Sequence, residues 1–134
     1  MRRASTIRQR TALFEEAAGI IESGYKVDLA LSDVARAIAT SRRQLQRAFR
    51  EVGATTFRGY LAEVRMRKAG ELLASEPDMT VRAIARDVGY SQSAQFAKAF
   101  RRHCGMSPAE FRARTASQPA PSRAKFRAAV GAGG

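Results

Sequence analysis

The sequence predicts an all-α chain of about seven helices, arranged as two subdomains joined by a long linker helix. Three observations lead to this prediction. Apolar residues recur at helical spacing along most of the chain, and the alternation typical of strands is essentially absent. One residue pattern occurs twice, about fifty positions apart, which indicates two copies of one supersecondary unit. A long, uninterrupted helical pattern lies between the two copies.

The first copy is expected to contain three helices. The first ends near Gly24, and its predicted apolar face consists of Ile7, Phe14, Ala17, Ala18 and Ile21. Ser32 is expected to open a short second helix, whose inward residues are Val34, Ala35 and Ile38. Ser41 and Gln44 have the spacing of a capping box, which predicts the start of a third helix. The apolar stripe of this third helix comprises Leu45, Ala48, Phe49 and Val52.

The linker helix is predicted to run from about Thr56 to Ser75. Its residues available for packing are Tyr60, Leu61, Val64, Ala69, Leu72 and Leu73. Pro77 cannot continue a helix, and it forces Glu76 out of helical geometry. A break is therefore expected before the second copy begins.

The second copy repeats the arrangement. A short helix, TVRAIARDV, leads to Gly89-Tyr90, and the next helix carries Phe96, Ala99, Phe100 and His103 inward. A last helix should start with Ser107 as N-cap, Pro108 at the first position and Glu110 at the third, and end near Thr115. The small, Pro- and Gly-rich residues 116–134 are expected to form a disordered basic tail.

The two copies can be aligned residue by residue. Val34-Ala35-Arg36 recurs as Ile84-Ala85-Arg86, and Ser41 recurs as Ser91, fifty residues later. At an offset of fifty-one, Leu45, Ala48, Phe49-Arg50, Thr56 and Tyr60 recur as Phe96, Ala99, Phe100-Arg101, Ser107 and Phe111. The one-residue difference is expected at the start of the second helix of each unit.

Each copy has the features of a helix-turn-helix, whose second helix enters the DNA major groove. The predicted apolar clasps across the two helices are Val34/Ile38 with Leu45/Phe49, and Ile84/Val88 with Phe96/Phe100. Gly89 can adopt the left-handed conformation that follows a helix. Ala39 stands in the same place in the first copy, so the first turn is less well specified by its sequence.

The charge of the chain predicts a polyanionic partner. The net charge is +12 on 134 residues, with twice as many cations as anions. A GC-rich genome would explain twenty arginines against four lysines, but not this excess. Nucleic acid is the leading partner, and an anionic membrane surface is second. No apolar run approaches the ~18 residues of a membrane span, and the single Cys104 suits a reducing cytoplasm.

The outer faces of the two second helices favour DNA contact over a merely solvated surface. In the first copy, Arg43, Arg47 and Arg50 lie opposite the apolar stripe with no acid among them, and Gln46 lies beside them. Arginine and glutamine near the start of a recognition helix read guanine and adenine edges. The second copy is poorer, since Ala94 offers contact only to a thymine methyl. We therefore expect the first copy to supply most base specificity and the second mainly affinity and register.

The residues also resemble a known family. The segment GYSQSAQFAKAFRRHCGMSPAEFR, Gly89 to Arg112, is similar to the C-terminal signature of the AraC/XylS family of bacterial regulators. LSDVARAIATSRRQLQRAFRE is similar to that family's first helix-turn-helix, and the resemblance extends from about Ala12 to Thr115. It implies two subdomains, 5–55 and 77–115, joined by a linker helix, 56–76, and gripping two adjacent major-groove segments of an asymmetric site.

The resemblance also implies a set of contact residues. The residues that correspond to base readers are Arg43, Gln46, Arg47, Ser93, Ala94 and Lys98. DNA backbone contacts are expected from Ser41, Arg42, Arg50, Ser91, Gln92, Gln95, Arg101 and Arg102. Ala94 departs from the family pattern, which often has a polar residue there. A linker helix of ~30 Å, close to the ~34 Å between successive major grooves, predicts that a monomer binds both segments.

The resemblance is strongest to the stand-alone activators of the family, such as the multiple-antibiotic-resistance and superoxide-response regulators. It implies recruitment of RNA polymerase, through the C-terminal domain of the polymerase α subunit or through σ factor, by a cytoplasmic, nucleoid-associated protein. No cofactor and no small-molecule ligand are expected. The initial Met and the tail favour a complete protein, and the alternative is a DNA-binding fragment of a longer, effector-responsive regulator.

An enzyme is not expected, because His103 continues an inward stripe and Cys104 lacks the partners of a zinc site. Three non-enzymatic classes of protein stay open. An architectural DNA-binding protein would rely on minor-groove wedges and would need no paired recognition helices. An RNA-binding module would expose aromatics, whereas Phe49, Phe96 and Phe100 have core spacing. A regulator that acts mainly by contacting polymerase would present apolar surface to that partner.

Overall fold

The computed structural model describes the backbone of residues 2–116 and the side chains of residues 6–116. In this range the chain is all-α, as predicted. The seven helices are α1 (Arg2–Gly24), α2 (Leu31–Ala37), α3 (Arg42–Glu51), α4 (Phe57–Ser75), α5 (Val81–Asp87), α6 (Ser93–Cys104) and α7 (Pro108–Thr115). The predicted tail lies outside the described residues beyond Ala116. No helix of the described part is long and apolar enough to cross a membrane.

The chain divides into two compact units, Met1–Ala62 and Glu63–Gly134, and the boundary falls within α4. In the first unit, α1 and α2 pack against α3. The ring of Phe49 is at the centre of the aromatic contacts, 5.3 Å from that of Phe14 and 5.8 Å from those of Phe57 and Tyr60. Such edge-to-face pairs contribute about 0.5–1.5 kcal/mol each beyond the burial of their area. This cluster fixes α3 with one face inward.

Three predictions about the first unit are wrong. Ile7 is 58% exposed, because Arg10, one turn later, already meets Glu51 at the last residue of α3. Val52 is 36% exposed, since it is the C-cap at which the chain leaves α3. Ser32 does not open α2. The helix begins at Leu31, and its N-cap is Ala30, whose side chain makes no capping hydrogen bond.

The second unit has its core where α6 packs on α5 and α7. Phe96 and Phe100 are fully buried, and the Phe100 ring lies 5.4 Å from that of Phe111. The second half of α4 buries residues on more than one side, among them Val64, Met66, Arg67, Ala69 and Leu73. Met66 and Arg67 were not expected in the core, because a single apolar stripe describes a helix that is covered from one side only.

The repeat corresponds to repeated structure. The hydroxyls of Ser41, Thr56, Thr80 and Ser107 each accept a hydrogen bond from the backbone N–H three residues later, at 3.0 or 3.1 Å. The turn between α2 and α3 comprises residues 38–41, whereas that between α5 and α6 comprises residues 88–92. The extra residue makes Gln92 the N-cap of α6, without a side-chain hydrogen bond. Ser91, the counterpart of Ser41, therefore does not cap its helix.

Candidate nucleic-acid interface

Helix α3 has two chemically different faces. Leu45, Ala48 and Phe49 are fully buried on one side. The predicted contact residues of the first unit are all exposed, namely Ser41, Arg42, Arg43, Gln46, Arg47 and Arg50. Because Arg43, Arg47 and Arg50 are spaced by four and three residues, they lie along one side of the helix. The buried stripe therefore holds a row of arginines outward.

The electrostatics of α3 favour an anion at its start. Arg42 and Arg43 lie in the first turn, which contains no acidic residue. Cations at a helix N-terminus are unfavourable, because the unpaired N–H groups there carry partial positive charge. A phosphate group placed near this turn would offset that repulsion.

The row of arginines has one acidic neighbour, which lies just beyond it at the end of α3. Arg47 Nε lies 3.8 Å from Glu51 Oε1, one helical turn later. Glu51 also forms an ion pair with Arg10 of α1. Within the described part of the chain, Arg42, Arg43 and Arg50 form no ion pair. Sequence spacing could have signalled the Arg47–Glu51 pair, but not the contact with Arg10.

Helix α6 also has one buried and one exposed face. Phe96, Phe100 and Cys104 are buried. The predicted contact residues of the second unit are all exposed, namely Ser91, Gln92, Ser93, Ala94, Gln95, Lys98, Arg101 and Arg102. The first turn of α6 is uncharged. The last turn of this helix carries cations, which are stabilised there by the negative end of the helix dipole. The two candidate recognition helices thus differ in where their positive charge lies.

Arg65 packs on the turn that precedes α6. Its Cζ lies 5.7 Å from the centre of the Tyr90 ring, within the range of a cation–π contact. A Cβ added at Gly89 would lie 2.9 Å from the same atom, so the glycine leaves room for the guanidinium. Burial raises the pKa of Tyr90, and Arg65 and Arg102 oppose that shift. Sequence reasoning did not identify Arg65, since no local pattern links it to this turn.

Arg112 is a second long-range contact that the sequence did not indicate. Its guanidinium donates hydrogen bonds to three carbonyl oxygens at the end of α4 and just beyond, those of Leu73 at 3.3 Å, Glu76 at 3.2 Å and Met79 at 2.6 Å. Carbonyls at the C-terminus of a helix have no partner within it. Arg112 therefore ties α7 to the segment that joins α4 to α5.

The two side chains with the most reactive chemistry lie in the second unit. His103 is half-buried, as predicted, and burial and then Arg102 lower its pKa, with Glu63 opposing. Cys104 is fully buried, and burial raises the pKa of its thiol to about 12. The thiol is therefore protonated at neutral pH, and a protonated thiol is a poor nucleophile. Among the described residues, no group of three or more His, Cys, Asp or Glu side chains could hold a metal ion.

A family described as a helix-turn-helix domain matches residues 34–114. An AraC-type DNA-binding regulator from Chromobacterium violaceum has a similar solved structure, with a TM-score of 0.76 and 29% identity over 80% of this chain and 95% of that one. The chain belongs to the AraC/XylS family of helix-turn-helix transcription regulators. This confirms the family resemblance and the predicted fold class.

Two further relatives of this AraC/XylS-family chain are informative. The Msm operon regulatory protein of Streptococcus mutans is 36% identical over 93 residues, which are 69% of this chain and 33% of that protein. The DNA-binding domain of AdpA, solved in complex with a target DNA, is 28% identical, with a TM-score of 0.68 over 76% of this chain and 90% of that one. The AraC/XylS-family chain spans about a third of the length of the curated relatives that it matches.

Proposed function

We propose that this chain binds double-stranded promoter DNA sequence-specifically and regulates transcription, with α3 and α6 as the two recognition helices. The observation that carries the proposal is the division of α3 into two faces. Leu45, Ala48 and Phe49 are fully buried, and the opposite side is an exposed row of arginines. A core-anchored helix with arginines outward has the chemistry that major-groove recognition requires.

The base-reading roles are assigned to Arg43, Gln46 and Arg47 on α3, and to Ser93, Ala94 and Lys98 on α6. Arginine binds guanine O6 and N7 bidentately, and glutamine binds adenine N6 and N7. The backbone roles are assigned to residues next to these, which are Ser41, Arg42, Arg50, Ser91, Gln92, Gln95, Arg101 and Arg102. Because α3 carries charge in its first turn and α6 does not, α3 supplies most of the specificity.

One copy of the chain binds an asymmetric site. A symmetric dimer presents the same recognition helix twice and reads a palindrome. This chain has two helix-turn-helix units whose outward residues differ, so the two segments that they read differ as well. A single chain therefore has the two readers for which other helix-turn-helix proteins need a dimer.

The proposed outcome of binding is activation, by recruitment of RNA polymerase through the C-terminal domain of its α subunit or through σ factor. The support is family membership together with the resemblance of the sequence to the stand-alone activators of the family. The alternative is that the unit works as the DNA-binding part of a longer, effector-responsive regulator. The observation that favours the alternative is that relatives of this chain are about three times as long as the segment that they share with it.

Selection from a library of randomised duplexes tests sequence-specific binding. The wild-type chain should enrich one asymmetric motif, and mass measurement on that duplex should give one chain per site. The double variant R43A/R47A should lose the motif. A matched control, R8A, removes an exposed arginine from α1 and should keep the motif. Enrichment without sequence preference would instead indicate an architectural protein, and a dimer on a palindrome would contradict the monomer.

A promoter experiment tests the transcriptional role. Footprinting of a promoter that contains the selected motif, with and without RNA polymerase, should show stronger polymerase protection when the chain is present. Transcription in vitro from that promoter should rise. A decrease in transcription would indicate a repressor, and no change would contradict a regulatory role for the chain alone.

A further inference from the structure

Glu51 connects two helices of the first unit through its two carboxylate oxygens. Its Oε2 forms an ion pair with Nη1 of Arg10, from α1. Its Oε1 lies 3.8 Å from Nε of Arg47, one turn earlier on α3. Glu51 is the last residue of α3, so its carboxylate lies at the end of the exposed row of arginines.

The contact with Arg10 distinguishes Glu51 from an ordinary surface acid. The Arg10 side chain is only 20% exposed, and its Nε is buried without a hydrogen-bond partner among the described residues. A largely buried guanidinium requires a carboxylate partner, because an unpaired charge there is costly. Arg10 therefore holds the carboxylate of Glu51 in one place.

An ordered carboxylate can order a second cation. An exposed pair of Glu and Arg four residues apart normally contributes little, since two long side chains must both lose freedom. Here Glu51 is already fixed by Arg10, so only Arg47 has to be ordered. The carboxylate lies on the Nε side of Arg47, which leaves Nη1 and Nη2 for another partner. Those two nitrogens can donate in parallel to the O6 and N7 of a guanine.

Arg47 differs from the other arginines of this face. Within the described part of the chain, neither Arg43 nor Arg50 forms an ion pair, whereas Arg47 does and is still 48% exposed. The acid also adds a negative charge near a surface that faces phosphates, which weakens binding to any duplex. Orientation of Arg47 raises the ratio of specific to unspecific affinity, whereas the repulsion lowers both affinities without changing their ratio.

We propose that Glu51 is a positioning residue that orients Arg47 for a base-specific contact and weakens binding to unspecific DNA. This inference rests on the proposed function. Arg47 makes the contact with the base, and Glu51 acts through it.

The variant Glu51→Asp is the decisive test, because it keeps the charge and withdraws the carboxylate by one methylene. Selection from randomised duplexes, followed by titration of single-base variants of the enriched motif, gives the preference at each base pair. At the base pair that R47A also affects, the preference for the correct base should fall at least about fivefold in E51D. This is the lower end of the range for one bidentate contact. Preferences at the other base pairs and affinity for scrambled DNA should stay within about twofold.

Two further variants separate positioning from charge and from folding. E51Q should lose the same preference and bind scrambled DNA more tightly, because a negative charge is removed. D33N is the matched control: Asp33 pairs with Arg36 at 3.9 Å on α2, so its removal changes the charge but not the environment of Arg47. D33N should keep the wild-type preferences. In the R47A background, E51D should have no further effect on base preference.

The possible failures are distinguishable. If the wild type enriches no motif, the proposed function and this inference both fail. If the wild type enriches a motif and R47A loses the preference at one base pair, but E51D keeps that preference, only the inference fails. If E51D weakens the preference at all base pairs equally and lowers the melting temperature of the protein, Glu51 is a structural residue and the positioning role is overturned.

Discussion

Ala39 and Gly89 close the same turn in the two helical units, and both have positive φ angles, 55° at Ala39 and 100° at Gly89. In each unit the next residue donates its N–H to the carbonyl oxygen five positions earlier, at 2.9 Å. This is the hydrogen bond of the Schellman motif, which requires a left-handed residue after the helix. Glycine adopts that conformation without a penalty, whereas a residue with a Cβ loses about 1–2 kcal/mol.

Ala39→Gly is therefore expected to stabilise the protein, by about 0.5–1 kcal/mol after the greater freedom of glycine in the unfolded chain is subtracted. Urea denaturation followed by circular dichroism measures the change. Ala12→Gly, on the exposed side of α1, is the control and should destabilise by about 1 kcal/mol. An Ala39→Gly protein no more stable than the wild type would show that the positive φ is not strained.

Arg112→Ala should lower the free energy of unfolding by about 2 kcal/mol, because three carbonyl oxygens lose a charged donor. Arg112→Lys should recover little of this, since an ammonium cannot reproduce the planar arrangement of the guanidinium. Arg114→Ala, at an exposed position of the same helix, is the control and should have little effect. Equal effects of the changes at positions 112 and 114 would contradict the role of Arg112.

The sequence predicted what depends on neighbours along the chain. The hydroxyl caps at Ser41 and Ser107 are set by residues three positions apart, and both were predictable. The exposed faces of α3 and α6 followed from helical period. The role of Glu51 was not predictable from neighbours along the chain, because Arg10, which anchors it, is 41 residues away in the sequence. Only the packing of α1 on α3 brings those two side chains together.

Failures at helix ends have the same origin. Val52 continues the stripe of Leu45 and Phe49 by period alone, yet it lies at the C-cap, where the helical direction ends. Ile7 continues the stripe of α1 past the point at which its partner helix stops. Periodicity gives the direction of a side chain but not the length of the surface that covers it. The roles of individual contact residues depend on DNA and stay predictions.

His103 should make stability pH-dependent above the range in which carboxylates titrate. Its pKa is lowered by burial and by Arg102, so the unfolded chain takes up a proton first as the pH falls through the ordinary value of 6.5. The contribution of the neutral side chain is fully present above 6.5 and is lost as the pH falls towards the lowered pKa. The wild type should therefore melt at a lower temperature at about pH 5.5 than at about pH 7.5.

His103→Gln should flatten that dependence, and it is a clean comparison because the chain has one histidine. Melting curves of the two proteins at several pH values between those limits give the difference. If the melting temperatures of both proteins fall by the same amount between these pH values, the proton uptake takes place elsewhere. The environment of His103 then does not matter for the pH dependence of stability.

Arg47 and Arg101 should lose different properties when each is replaced by alanine. Arg47 lies in the middle of α3 with its guanidinium beside Glu51, whereas Arg101 lies near the end of α6, where a tilted helix approaches the DNA backbone. Arg47→Ala should cost ~1–3 kcal/mol on the selected site and relax the preference for one base pair. Arg101→Ala should weaken binding to selected and scrambled duplexes alike and reduce the salt slope by about one unit.

Titrations of both variants on both duplexes, at two salt concentrations, distinguish a base reader from a phosphate contact. The slope matters because each neutralised phosphate releases condensed counterions, whatever the sequence. Arg8→Ala serves as the control for loss of one exposed charge from the same chain. If Arg47→Ala lowers the affinity for selected and scrambled DNA equally, α3 is not the base reader. Sequence preference must then come from α6 or from the shape of the duplex.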